Sequence, residues 1–393
     1  MLINRTYKFR LYPNDEHKEI INKTFGCNRF VYNYYLDKKI NTYEKSKNQL
    51  SLKECINDFK NLLEEYPFLK EVDSSSLRQS LFKLNDVFRN SLRDKTGYPK
   101  HKCKFDKNSY KISMWTYTSY GNEYHTIELD LINRTISLPK LKNVKIRGYK
   151  NLDKINGRII SATVSKDLDN KYYVSVVVEE NIVMSDFRPT TIIGIDLGIK
   201  DLIITSNYQK YQNEKAIEKY EKRIKQKQRR LSKKEKGSKN YYKLKQEIAK
   251  LYKKVKSARK YSINKITKEI TDDFDIIVCE SLKVKNMVKN HNLAKAISDA
   301  SFSEIVRQLE YKAKWKGKKL YKIDTYFPSS QICSNCGYKN PLLKNLDIRE
   351  YTCPSCHTEL DRDYNAAINI CFEGLKKYMN EVCAQRTNIP INF

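Results

Sequence analysis

Hydrophobic and polar positions recur along this chain with periods that change abruptly, and the changes divide it. Thr6 to Leu11 alternate as a short strand that Pro13 ends, after which Cys27, Phe30, Val31 and Tyr34 fall on one face of a helix. Helical patterning continues, with breaks, to about Arg93. Between Gly97 and Asn108 the text GYPKHKCKFDKN is polar, basic and turn-prone. The two-residue period then returns in ISMWTYTSY, HTIELDL and TISLPKL. It is clearest in IISATVSKDLDNKYYVSVVVEE, which predicts two strands joined by Asp-Leu-Asp-Asn. Strands on both sides of a helical block predict a small β-barrel with a helical insertion.

At Thr191 the pattern changes again: TIIGIDLGIKDLIITSN reads as a buried apolar strand, a tight turn and a second strand, the usual opening of an α/β core. Leu244, Ile248, Leu251 and Val255 keep helical spacing in the stretch that follows, and Gly237 with Ser238 splits it into two helices. FDIIVCESL predicts another buried strand, Ser301 to about Lys316 a helix carrying Ile305, Val306 and Leu309 inward, and KKLYKIDTY a further strand. Such alternation predicts a mixed α/β sheet. The stretch after Lys377 has no strong pattern and is expected to be a disordered tail.

Charge adds a partner to this picture. Lys and Arg number 76 against 46 acids in 393 residues, a formal +30 that repels itself unless a polyanion neutralises it, so nucleic acid is the expected partner. Binding should weaken steeply with salt, with a slope of roughly −0.9 per phosphate contacted on duplex DNA. Between Lys215 and Lys260 alone, 20 Lys or Arg face 4 acids. That run is either a lysine-studded arm along a nucleic-acid backbone or a solvated helical hairpin, and the overall charge would also suit a ribosome-associated protein. No stretch approaches 18 consecutive apolar residues, which argues against membrane insertion. The charged opening MLINRTYKFRLYPNDEHKEI carries no signal-peptide pattern, and a cytosolic protein is expected.

Of the ten cysteines, four fall in a metal-binding spacing: Cys333-x-x-Cys336 and, 16 residues on, Cys353-x-x-Cys356. Two such knuckles place four thiolates tetrahedrally around Zn²⁺. A closed four-sulfur site leaves no position for water, so its role is folding, worth roughly 10–16 kcal/mol in small peptides. His357 could replace one sulfur; Cys27, Cys55, Cys103, Cys279, Cys371 and Cys383 have no paired spacing and read as buried or incidental. Three acids stand in apolar settings: Asp196 in GIDLG, Glu280 at the end of IIVCE and Asp363 where DRDYNAAINI opens a helix. A carboxylate in such company is hydrogen-bonded or neutralised by a cation, and converging acids supply the hard oxygens that Mg²⁺ or Mn²⁺ prefers. Taken singly, each is weak evidence, since a strand-end Glu is more often a cap or an ion pair.

GIDLGIKDLI, the strand-end Glu280-Ser-Leu, FPSSQICSNCGYKN, the second knuckle and DRDYNAAINI resemble, in this order, the C-terminal half of TnpB proteins encoded by insertion sequences, also described as OrfB-type transposases. KFRLYPN and FGCNRFVYNYYL resemble the start of the same family, while the region from about Ile40 to Asp153 matches only in general character. The resemblance implies an RNase H-like RuvC nuclease that binds a non-coding guide RNA, pairs it with target double-stranded DNA and cuts beside a short adjacent motif. It implies that Asp196, Glu280 and Asp363 are the metal-binding acids, Asp363 being preferred over Asp361 because it directly precedes the Tyr-Asn-Ala-Ala helix.

The fold class expected is therefore multidomain α/β plus β-barrel. An oligonucleotide-binding-like barrel occupies 1–14 and 110–188, with a helical recognition insertion at 15–109. An RNase H-like domain occupies 189–328 and 358–376, with a zinc ribbon inserted at 329–357 and a tail at 377–393. Basic and aromatic residues of the first half are the expected nucleic-acid contacts: Tyr98, Lys100, Lys102 and Lys104, with Arg29, Tyr32 and Tyr35 on the first helix. The 29 tyrosines could stack on splayed bases, although core packing explains a Tyr equally well. Three rivals remain. A descendant that occupies DNA without cutting would be expected to have lost one of the acids. An actin-like ATPase is disfavoured by only 11 glycines, the zinc spacing and the charge. A transposase cutting element ends directly would need no RNA.

Overall fold

The structure, a computed structural model, describes residues 1–94, 97–104, 108–119, 122–148, 155–182, 188–345 and 347–387. The end of the expected tail, 388–393, lies outside them. The chain divides into two units, Met1–Ile182 and Val183–Phe393.

The first unit runs β1 (Leu2–Tyr12), α1 (Asp15–Ser46), α2 (Leu52–Glu65) and α3 (Ser74–Asp94). Strands β2 (Asn108–Ser113), β3 (Thr116–Ser119), β4 (Asn122–His125), β5 (Glu128–Asp130), β6 (Thr135–Leu138), β7 (Leu141–Arg147), β8 (Arg158–Lys166) and β9 (Tyr172–Asn181) follow. Seven strands form one antiparallel sheet in the order β2-β8-β9-β1-β7-β6-β5, while β3 and β4 pair as a separate hairpin. Strand β1 is longer than its alternating core suggested because it is central, pairing with β9 from Leu2 to Leu11 and with β7 from Arg10 to Tyr12. The β8–β9 hairpin follows the two-residue pattern, with Asn170 in the left-handed region at its turn. Phe9, Leu11, Val164, Val174 and Val176 form the buried face of the sheet, each worth about 1.5–3 kcal/mol on full burial.

The helices between β1 and β2 are bounded by local chemistry. Asn14 caps α1 by accepting from the His17 amide at 2.7 Å. Ser51 and Glu54 form a capping box on α2. Phe25 of α1 meets Tyr110 of β2 edge-on at 5.5 Å, tying the first helix to the sheet. Asn28, buried on α1, is satisfied by the Thr24 carbonyl and by Ser76 and Ser80 of α3.

The second unit opens with β10 (Ile192–Asp196), β11 (Asp201–Thr205), β12 (Lys210–Gln212) and the helices α4 (Glu218–Ser232) and α5 (Lys239–Asp273). Then come β13 (Ile276–Glu280), α6 (Val284–Met287), α7 (His291–Ala300), α8 (Phe302–Trp315), β14 (Lys319–Ile323), the short strands β15 (Glu350–Thr352) and β16 (Glu359–Asp361), and α9 (Arg362–Thr387). Gly237, at φ +96°, and Ser238, whose hydroxyl caps α5, separate α4 from α5. The main sheet has the order β12-β11-β10-β13-β14: β10, β11 and β12 are antiparallel, and β13 and β14 run parallel to β10. Ile193, Ile195, Ile277 and Cys279 pack against Ile263, Ile266 and Ile270 of α5 and Ile305 and Leu309 of α8. The opposite face, with Ile276, Val278 and Ile323, takes Ile370 of α9.

The expected tail boundary at 377 is corrected, since α9 continues to Thr387. Its last turns are anchored on β14: Lys319 pairs with Glu381 at 2.6 Å and Tyr321 meets the Tyr378 ring at 6.4 Å.

Candidate active site and metal centre

Strand alternation decides where the acids point. Gly194 and Val278 are register partners on adjacent parallel strands, and the face they share is the one α9 covers. Two residues on, Asp196 and Glu280 point to that same face at the strands' C-terminal ends. Helix α9 lies against β10 with no room for a side chain: a Cβ on Gly194 would stand 2.1 Å from the Ala367 carbonyl oxygen and 2.6 Å from the Cys371 nitrogen. Reciprocally, a Cβ on Gly374 would meet Val278 Cγ2 at 2.2 Å. The two glycines seat the helix so that Asp363, in its first turn, reaches the strand-end acids.

Their proximity is visible in Asp196. Burial, then the charges of Glu280 and Asp363, push its carboxyl up to about 7. Burial also raises Glu280, opposed by a 2.6 Å hydrogen bond from the Ser329 hydroxyl. Asp363 is held by Arg349 at 3.0 Å. Asp196, buried beside two further carboxylates, is short of positive charge, which a divalent cation would supply, with the acids as oxygen ligands of the kind it prefers.

Asp361 occupies a different place. It accepts from the Asp363 and Tyr364 amides at 2.9 and 3.1 Å, as an N-cap does, and pairs with Lys210 at 2.8 Å. Burial raises its carboxyl, but Lys210 and those amides together outweigh it and hold the group below its usual range.

The four cysteines form a second centre. All four sulfurs lie within 4.8 Å of one another, the one such cluster of His, Cys, Asp and Glu groups among the described residues. Cys333 to Cys356 and Cys336 to Cys353 are each 3.7 Å, close to the edge of about 3.8 Å for a tetrahedron built on Zn–S bonds of about 2.3 Å. The knuckles repeat one backbone design. In the first, the Gly337 amide bonds the Cys333 carbonyl at 2.8 Å; in the second, the His357 amide bonds that of Cys353 at 2.9 Å. Gly337 and His357 are both left-handed, at φ +77° and +58°. His357 thus serves as a turn residue and stands outside the sulfur cluster.

Asparagines on α9 join the ribbon to the acids. Asn365 accepts from the Ser334 amide at 2.8 Å and donates to the Ile332 carbonyl at 2.7 Å. Asn369 donates to the Ser329 and Ile332 carbonyls at 2.8 and 2.6 Å. Asn365 is fully buried and Asn369 nearly so. Ser329, just before the first knuckle in the chain, touches Glu280, and Arg349, between the two knuckles, touches Asp363. Sequence reasoning missed all four residues; the signal lay in DRDYNAAINI, where two Asn four apart interrupt an apolar helix face.

Comparison with known proteins follows the same segments. Residues 174–291 match the family described as Probable transposase, 302–370 the Cas12f1-like TNB domain, and 1–48 a helix-turn-helix domain. A Streptomyces pristinaespiralis protein named "Putative RNA-guided DNA endonuclease" is 33% identical over 377 residues, covering 95% of this chain and 90% of that one. The chain belongs to the TnpB family. InsQ of Escherichia coli K12, named likewise, is 26% identical over 388 residues, covering 94% of this TnpB chain and 92% of its own. A solved structure of the mini RNA-guided endonuclease Cas-phi3 aligns over 95% of this chain and 92% of that one at 9% identity, with a TM-score of 0.49. The TnpB residues matched as helix-turn-helix form one strand and one long helix here, β1 and α1.

Two nucleic-acid contacts expected in the first half of this TnpB protein are corrected. Tyr35 is fully buried, its hydroxyl on Asp58 at 3.0 Å, and Tyr32 is buried beneath the Lys102 ammonium, 3.4 Å from its ring centre. Both rings complete the core between α1, α2 and α3, because the apolar face of α1 is wider than the stripe through Phe30 and Tyr34. Burial, with Lys83 nearby, pulls Lys102 down to about 7. Arg29 is half-buried, while Tyr98, Lys100 and Lys104 are exposed. Among the described residues no helix is long and apolar enough to cross a membrane.

Proposed function

We propose that this TnpB chain is an RNA-guided DNA endonuclease that hydrolyses phosphodiester bonds at Asp196, Glu280 and Asp363. One observation carries the reading: the three carboxylates converge from two parallel strand ends and a helix start, and burial together with the charges of Glu280 and Asp363 holds Asp196 near 7. Bound Mg²⁺ or Mn²⁺ would activate a water and stabilise the leaving oxygen. The protein's part is positional. Ser329 fixes Glu280, the Asp361 cap fixes the turn that carries Asp363, and the glycine contacts set the spacing between helix and strands. The cysteine cluster holds Zn²⁺ as a structural ion.

We read the main sheet as an RNase H-like nuclease core, supported by its order: three antiparallel strands, then two parallel to the first. The seven-stranded sheet of the first unit is read as the oligonucleotide-binding-type barrel, with the helical block as its insertion. The partners are a non-coding guide RNA and target duplex DNA, met in the cytoplasm, and exposed Tyr98, Lys100 and Lys104 are the contacts proposed in the first unit.

The test is purification with co-bound RNA, followed by incubation with Mg²⁺ and a plasmid carrying a guide match beside a randomised flank. Guide-dependent cutting that Asp196→Ala abolishes, with RNA retained, is the expected result. RNA binding without cutting would replace the reading with a DNA-occupying repressor, and absence of RNA would favour a transposase.

A further inference from the structure

Tyr208, in the turn between β11 and β12, is exposed and strained at once. Its φ of +65° lies in the left-handed region, where a bulky side chain is uncommon and Gly or Asn is usual. Its side chain is nevertheless 67% exposed, so core burial does not explain the strain. The turn itself is well made, with the Tyr208 amide on the Thr205 carbonyl at 3.1 Å and the Thr205 amide on the Gln209 carbonyl at 3.0 Å. Neither bond needs an aromatic side chain.

What surrounds Tyr208 belongs to the nuclease site. The Tyr364 hydroxyl donates to the Tyr208 carbonyl at 2.7 Å, and the two rings lie 4.8 Å apart, tilted by 48°. Tyr364 directly follows Asp363 in α9. Lys210 stands 4.4 Å from the Tyr364 ring centre and pairs with Asp361, the cap of the same helix. An exposed ring, a supporting ring and an ammonium are thus fixed to the turn of helix that presents the third acid. Unpaired nucleic acid is bound by this combination, bases stacking on aromatics while cations follow the phosphates.

We propose that Tyr208 is a stacking platform for an unpaired base of the DNA strand being cut, holding that strand beside the carboxylates. The strain then persists because the exposed ring is useful. The inference rests on the endonuclease reading and adds a substrate-binding residue to it.

The test uses the full chain with its guide RNA and single-stranded DNA carrying iododeoxyuridine at successive positions, since this base crosslinks under light to an aromatic ring stacked on it. Peptide mapping should find the crosslink at Tyr208. In plasmid cleavage Tyr208→Ala should raise KM about tenfold, the worth of one stacked base, and leave kcat within about twofold. Tyr208→Phe should behave as wild type. Tyr208→Gly should show the same KM loss with Tm unchanged or raised by about 2–4 °C, the reverse of what a structural tyrosine would do. Crosslinks only elsewhere, or an unchanged KM in Tyr208→Ala, would overturn the proposal. A Tyr208 crosslink in a protein that never cuts would retain the platform and remove the nuclease reading; neither crosslink nor cutting would remove both.

Discussion

Gly194→Ala is the smallest change that should separate the acids. The added methyl would stand 2.1 Å from the Ala367 carbonyl oxygen and 2.6 Å from the Cys371 nitrogen, both backbone atoms of α9 that cannot swing aside. To restore an ordinary contact the helix must retreat by about 1 Å. Overpacking of this kind costs about 1–3 kcal/mol, or roughly 2–12 °C of Tm in a unit of this size. The catalytic loss should be larger. Asp363 moves with the helix while Asp196 and Glu280 stay on the strands, and a 1 Å misplacement costs about a hundredfold in rate. The assay is guide-dependent plasmid cleavage under single-turnover conditions, with RNA binding and Tm measured in parallel. Gly374→Ala is the control, because the atoms it would strike at 2.2 and 2.4 Å are methyl carbons of Val278. Adding Val278→Ala should therefore restore part of its activity, and no comparable side chain can be trimmed for Gly194. Cleavage by Gly194→Ala within about threefold of wild type would refute the premise that helix spacing sets the site.

Other outcomes follow from the same structure. Cys333→Ser should lower zinc content and Tm, and it should slow cutting because Ser329 and Arg349 join the ribbon to Glu280 and Asp363; unchanged metal content would contradict the cluster assignment. Asp361→Asn should keep the helix cap and most cutting, whereas Asp363→Asn should abolish cutting, and the opposite ranking in plasmid cleavage would exchange their roles. Lys102 is held down to about 7, so between that pH and its ordinary value of about 10.4 the unfolded chain keeps a proton that the folded chain has lost. Stability of the first unit should therefore rise with pH across that window. Urea unfolding should show Lys102→Met more stable than wild type at pH 7 with a flatter rise, and parallel pH curves would argue against the buried amine.

Local features were legible in the sequence where period and burial coincide. Val174, Val176 and Val178 alternate with half-buried neighbours, and the apolar runs IIGID and IIVCE became the central parallel strands. The knuckles could be read because four thiolates at that spacing suit one geometry. The order of the seven-stranded sheet could not be read. Strand β1 pairs with β9 and β7 from the far end of the unit, and no local pattern encodes which distant strand is a neighbour. Tyr32 and Tyr35 were misjudged because an aromatic on a basic helix looks alike whether it faces solvent or another helix, and only Asp58 and Lys102 reveal which. The choice of Asp363 rested on resemblance alone; its physical counterpart is that Asp361 is occupied as a cap.

The bare seat at Gly194 and Val278 also bears on when the chain could become dangerous to its host. Asp196 and Glu280 are translated well before α9, and domains tend to fold as they emerge from the ribosome. Until the helix docks, that face of the sheet is open and the third acid is missing. A ribosome that stalls within the ribbon releases a polypeptide with two acids and no partner for them. On the endonuclease reading, such fragments cannot cut, and nuclease competence comes late in synthesis, after the first unit has been translated.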